Sequence, residues 1–150
     1  MLPSKHIILG FIFSLIIFYL FPEIGLLGVS LIFLSSFLID IDHYFYYAYT
    51  KKDFNPINAR NWFMKKHREF IKLPHEERRK RAKNIPCIFH GIEMIMFLIL
   101  LSFISPLFIY ILMGFIFHES LDLINILYFG FSLDHIGSQT YNIINHKIEE

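Results

Sequence analysis

At 150 residues the chain is long enough for one domain, and its 55% hydrophobic content, mean hydropathy of +0.48 and 18 phenylalanines exclude an ordinary soluble one. Soluble domains run at about 45–50% apolar with ~25% charged residues; here the charged share is 18%, and most of it lies in one stretch. Net charge is +1, and the one cysteine, Cys87, excludes an internal disulfide, which leaves an integral membrane protein.

The opening "MLPSKHIILGFIFSLIIFYLFPEIG" sets Lys5 before an apolar core, as a signal peptide does. No Ala-x-Ala-like site follows and a second apolar run begins at once, so the pattern predicts a retained span. Pro22-Glu23-Ile24-Gly25 reads as a turn, giving a hairpin of two spans over 7–21 and 24–39. Each is near the short limit of ~17 residues for crossing a bilayer. The aromatic run "HYFYYAY" after the second span reads as an interfacial belt.

Residues 51–83 hold 12 of the 14 lysines and arginines against four acids, Asp53, Glu69, Glu76 and Glu77. Positive loops stay inside, which places the loop 51–84 and the N-terminus on the cytoplasmic side of a cell membrane. Asn55-Pro56 has the form of a helix start. Trp62, Phe63, Phe70 and Ile71 then recur at helical spacing among bases, as in an amphipathic helix lying on the inner leaflet. Pro74 opens a second, charged helix. The partners this predicts are membrane lipids with anionic headgroups, and nucleic acid is disfavoured, because basic juxtamembrane segments ordinarily serve topology and lipid contact.

A second apolar region runs from Ile85 to Asn125, divided by Pro106 into spans over 85–104 and 106–124. The tail, 125–145, begins apolar and ends polar, so it reads equally as a short fifth span or an interfacial helix. The predicted fold class is therefore all-α. It is a single polytopic membrane domain with four transmembrane helices, five if the tail crosses, in two hairpins joined by a basic helical loop.

With the basic loop inside, the ionisable groups of the apolar runs fall at one depth. His6 precedes the first span; Asp40, Asp42 and His43 end the second; His90 and Glu93 open the third; His118, Glu119 and Asp122 end the fourth. Only Glu23 falls at the far face. Ionisable groups at membrane depth mark functional sites. His90 and Glu93, three apart, are expected on one helix face, as are His118 and Asp122, four apart, and Asp40 and His43. Asp42 points elsewhere on an ideal helix.

The candidate ligands are His6, Asp40, Asp42, His43, His90, Glu93, His118 and Asp122, a set that suits Zn²⁺ first, with Mn²⁺ or Fe²⁺ as alternatives. Eight candidates exceed one tetrahedral ion, so one or two ions are expected. Glu93 and Asp42 are the candidate general bases. Cys87 reads as a buried small hydrophobe, Glu119 as structural, and His67, His75 and His146 as solvated. Asp134 and His135 lie in the tail, outside the set.

In these residues the chain resembles the YdjM-like family of small membrane-bound metal-dependent hydrolases. The matching stretches are "KHIILG" (His6), "LIDIDH" (Asp40, Asp42, His43), "FHGIE" (His90) and "GFIFHESLD" (His118, Asp122), spread over about residues 5 to 124. Ile39 stands where the family has Pro, and "HGIEMI" lacks the Arg and second His of the family's third motif, with Glu93 a candidate replacement ligand. The resemblance implies a metal-dependent hydrolase of phosphoesters or lipid-linked phosphates. Two other functions fit the residues: a non-catalytic membrane protein with a structural or metal-handling site, and an ion or proton transporter. Clustering at one face counts against a transport path.

Overall fold

The computed structural model describes residues 3–81 and 87–145, and every regular element among them is helical. The end of the basic loop, the expected start of the third span at 85–86 and His146 lie outside the described residues, as do the side chains of Asp134 and His135.

Helix α1 (Pro3–Leu20) starts before the expected residue 7, because Pro3 is tolerated in a first turn. His6 is thereby inside the helix. The predicted turn is present as a 3-10 segment, Pro22–Ile24, closed by Gly25 at φ 67. Helix α2 (Gly25–Leu38) does not end the run as expected. After a joint at Ile39 and Asp40 the chain resumes as α3 (Ile41–Lys51), with His43 N donating to Asp40 O at 3.2 Å. The aromatic run is thus a helix, and Tyr47 and Ala48 are buried within the protein.

Helix α4 (Pro56–Ile71) starts as the sequence predicts, with Asn55 Oδ1 accepting from Ile57 N at 2.9 Å and Asn58 N at 3.4 Å. Its aromatic face packs on the protein: Phe63 meets His43 (ring centroids 5.4 Å) and Trp62 meets Tyr47 (5.7 Å). His67, expected in solvent, sets its ring edge-on to Phe129 and Phe131 at 5.6 and 5.9 Å, since a neutral imidazole packs like an aromatic. Arg60, Lys65, Arg68 and Lys72 face outward. Helix α5 (His75–Arg81) follows Pro74 as predicted. Arg78 donates to the carbonyls of Ile71, Leu73 and Phe129, so one guanidinium satisfies orphan acceptors at two helix ends.

Helix α6 (Ile92–Ser102) is shorter than the expected span. Eleven residues at ~1.5 Å each reach about 16 Å, against a hydrocarbon core of ~30 Å. Gly91, at φ 140, stops the helix from extending back. His90 therefore sits in a turn, its N–H donating to Cys87 O at 3.0 Å, and does not share a helix face with Glu93. Helix α7 (Leu107–Phe129) runs past the expected end at 124, to a left-handed cap at Gly130 (φ 70). A 3-10 segment, Leu133–Ile136, and α8 (Gln139–Asn145) form the tail.

Among the described residues three segments are long and apolar enough to cross a membrane: Pro3–Leu20, Pro22–Lys51 and Leu107–Phe129. Where α1, α2 and α7 meet, small residues let the backbones close in. A Cβ on Gly10 would overlap the Ser36 side chain, and one on Gly114 would overlap the Ile32 carbonyl. Large apolar side chains such as Ile8, Phe11, Leu15, Leu27, Phe97 and Leu100 point outward, whereas His6, Ser14, Ser36, His118 and Asp122 are buried. That distribution reverses the soluble-protein rule and is the one expected where lipid is the solvent.

Candidate metal centre

The buried polar residues converge about half-way along α7. From Leu107 to His118 the axial rise is roughly 16 Å at ~1.5 Å per residue. There α7 contributes His118 and Asp122, one turn apart; α1 contributes His6; the α2–α3 joint contributes Asp40, Asp42 and His43; and the turn before α6 contributes Cys87 and His90. These fall into two adjoining groups, each able to hold a metal ion, with donor atoms within 4.8 Å of one another: His6, Asp40, His118 and Asp122, and Asp42, His43, Cys87 and His90.

Within the first group His6 Nε2 is 3.2 Å from Asp122 Oδ1, and its ring stacks on His118 at a centroid distance of 4.0 Å. Asp40 Oδ1 is 3.7 Å from the Nε2 atoms of His43, His90 and His118 alike. Asp122 Oδ2 is 3.5 Å from His118 Nε2 and 3.9 Å from His90 Nε2. Two buried atoms, His6 Nδ1 and Asp40 Oδ2, have no hydrogen-bond partner.

The protons of this network can be counted. His118 Nδ1 lies 2.9 Å from the Ser36 carbonyl oxygen, which only accepts, so Nδ1 carries a hydrogen, and in the neutral ring Nε2 offers a lone pair. His90 Nδ1 lies 2.9 Å from Asp42 Oδ2, which already accepts the Phe89 N–H at 3.1 Å. A neutral His90 that donates there presents a lone pair at Nε2 as well. The two Nε2 atoms nevertheless face each other at 3.1 Å. Two lone pairs at that separation repel unless a positive charge lies between or beside them, and the carboxylates of Asp40 and Asp122 surround that point.

A proton or a metal cation meets this requirement. The convergence of several donors favours the cation. For an ion bound at ~2.1 Å in a tetrahedron, ligand atoms are roughly 3.4 Å apart; His90 Nε2 and His118 Nε2 lie 3.1 Å from each other and 3.5 to 3.9 Å from Asp40 Oδ1 and Asp122 Oδ2. Donation of the second ring N–H to a carbonyl (His118) and a carboxylate (His90) is the arrangement that orients metal-binding imidazoles. The side chains of His6, His90 and His118 are 0% exposed, while Asp40 is 10% and His43 25% exposed, so the cluster is reached past those two.

Seven of the eight sequence candidates come together in these two groups. Glu93 does not: its carboxylate accepts from Ser138 Oγ and from the backbone N–H groups of Gln139 and Thr140, at 3.1 Å for each N–H. Those N–H groups open α8 and have no intrahelical partner, so Glu93 serves as their acceptor and lies outside both groups. Asp42, the other candidate base, is buried in the second group, where its carboxylate contacts His90 Nδ1 and the Phe89 N–H. Cys87 was missed as a candidate. Its signal was the Cys-x-x-His spacing of "CIFH", which an apolar context obscured.

Compared with family models, with curated proteins and with solved structures, the chain matches none. Fold and centre define its class by themselves: an α-helical protein that has, among its described residues, three segments able to cross a membrane and a buried His/Asp/Cys cluster able to hold a metal ion.

Proposed function

We propose that the protein is a membrane-bound metal-dependent hydrolase that acts on phosphoesters of lipids or lipid-linked phosphates at the cytoplasmic face. The observation that carries this reading is the pair of facing imidazole nitrogens of His90 and His118, 3.1 Å apart between the carboxylates of Asp40 and Asp122. Zn²⁺ fits the donor set best, with Mn²⁺ or Fe²⁺ as alternatives. Such an ion supplies a Lewis acid and a bound water acidic enough to be a nucleophile at neutral pH. The resemblance to YdjM-like hydrolases points the same way.

The chain's own residues supply the rest. Ser36 O and Asp42 fix the two imidazoles, His6 braces Asp122, and Asp40 stands at the rim. A groove of about 190 Å³ lined by Leu38, Ile39, Phe89, Met94, Leu98 and Phe115, among them the neighbours in sequence of Asp40 and His90, is apolar enough for an acyl chain. Arg60, Lys65 and Arg68 on the outer face of α4, with Lys72 at its C-terminal cap, attract anionic headgroups. In this reading α6 and α7 form a second hairpin, with α6 as a shorter fourth membrane helix, and the loop 51–84 is cytoplasmic.

One observation favours a second reading. Complete burial of His6, His90 and His118 suits an ion that staples α1, the α2–α3 joint and α7 together without catalysis. Turnover separates the two. Detergent-purified protein loaded with Zn²⁺ should cleave a chromogenic phosphodiester or a phospholipid in mixed micelles, and Asp40→Asn should abolish cleavage. A loaded protein inert toward both substrate types would refute the hydrolase and leave the structural ion.

A further inference from the structure

The first group and His90 leave a thiol unused. Cys87 is fully buried, with Sγ 3.4 Å from His43 Nδ1 and the Asp42 carboxylate and His90 ring completing a set of donors within 4.8 Å of one another. A cysteine present only to fill space would be surrounded by apolar groups; this one is surrounded by two imidazoles and a carboxylate. Its turn is also pinned. Cys87 N–H donates to Gln139 Oε1 at 3.2 Å, and His90 N–H donates back to Cys87 O at 3.0 Å, which presents residues 87 and 90 to the same point. His90 stands between the two groups, with Nε2 toward His118 and Nδ1 toward Asp42.

We propose that Cys87, His43, Asp42 and His90 bind a second ion, a thiolate-containing site distinct in chemistry from the all-nitrogen-and-oxygen site beside it. The proposal rests on the metal-centre reading above and deepens it. One sulfur, two nitrogens and a carboxylate oxygen form a four-donor set suited to Zn²⁺, and the sulfur biases it toward softer ions than its neighbour accepts. Binding displaces the Cys87 thiol proton to solvent, together with the His90 ring proton where that ring bridges both ions. His43, a quarter exposed against Phe63 of α4, is the donor nearest the outside and so the point of entry. A filled site ties the turn before α6 to the first turn of α3, which holds His90 in position for the first ion.

The test is a Co²⁺ titration of the full chain in detergent after removal of bound metal with a chelator. The wild type should take up two equivalents and show the near-ultraviolet thiolate-to-cobalt charge-transfer absorption. Cys87→Ser and, independently, His43→Ala should each bind one equivalent fewer, and the serine variant should lose the charge-transfer band entirely. Two variants on different elements guard against a folding defect in either. Uptake of one equivalent without the band would overturn this proposal and leave the first site standing. Two equivalents without the band would also overturn it, since Cys87 would not be a ligand. No uptake by the wild type would overturn both sites.

Discussion

At the scale of single residues, the roles at the centre divide between those that face the ion and those that aim them. Toward the first ion, with the second site empty, Asp42 aims His90, and loss of an aiming group costs roughly 10–100-fold in metal affinity. Asp42→Asn should therefore weaken binding by that factor in a chelator competition while the helical circular dichroism stays unchanged; unaltered affinity would show that the Asp42–His90 contact does not orient a ligand. Outside the membrane segments, Asp53 organises the link from α3 to α4. It accepts from Asn55 N–H at 2.9 Å, from Tyr47 O–H at 2.7 Å and from Asn58 Nδ2 at 2.9 Å, and these bonds hold its carboxyl below the usual range, the Asn55 bond contributing most. A depressed carboxyl stabilises the fold fully above its unfolded value of about 3.9 and loses that contribution as pH falls through the lowered native value. Amide exchange at Asn55 and Ile57, corrected for intrinsic rates, should quicken only below about pH 4, close to the unfolded carboxyl value. Protection that is flat down to pH 2 would contradict the role.

At the scale of elements, the centre depends on how closely α1, α2 and α7 approach. Gly114 lies one turn before His118, and a side chain there would strike Ile32 O and Ser35 Oγ, so the helices must part. Gly114→Leu should cost about 1–3 kcal/mol as an overpacked contact and lower metal occupancy with it; a variant of normal melting temperature and occupancy would show that the close approach is dispensable. The docking of α4 carries a pH dependence of its own. Burial, reinforced by positive charge including Lys5, pushes the His67 pKa down. A histidine depressed in the folded state adds full stability above its unfolded value of ~6.5 and loses it as pH falls below that value. Trp62, the one tryptophan, sits on the same helix, so its emission should shift on acidification from pH 7.5 to 5, and His67→Leu should remove the shift. An identical shift in the variant would assign it to another group.

Element by element, the sequence was most legible where local chemistry decides. The Pro22–Gly25 turn, the Asn55-Pro56 start of α4 and the break near Pro106 all follow from residues whose backbone preferences act alone. It was least legible where tertiary contacts decide. The joint at Ile39–Asp40 continues into α3 because Tyr47 and Ala48 find a buried place, and periodicity does not announce that. Gly91 carried a clear signal for where α6 starts, yet an apolar run on both sides concealed it. Within the centre, spacing placed His118 with Asp122 but misdirected Glu93, whose partner is the start of α8, far along the chain. Cys87 was read from its apolar neighbours in sequence, whereas its neighbours in space are polar.

At the scale of the whole molecule, an apolar exterior around a polar interior makes the bilayer a structural component. With the basic loop inside, single-cysteine probes in a Cys87→Ser background should label at Glu23 from outside intact cells, and at Lys72 only after permeabilisation. The reverse pattern would invert the topology and move the centre to the opposite leaflet. The central claim is that the buried cluster is a metal centre. Its most direct test is the metal content of detergent-purified wild type, by inductively coupled plasma mass spectrometry, beside the double variant Asp40→Ala with His118→Ala. The account predicts one or two Zn, Mn or Fe per wild-type chain, and loss of the ion of the first group in a variant that still elutes as a folded protein. Wild type that remains metal-free after reconstitution would contradict it, and the charge between His90 and His118 would then be a proton.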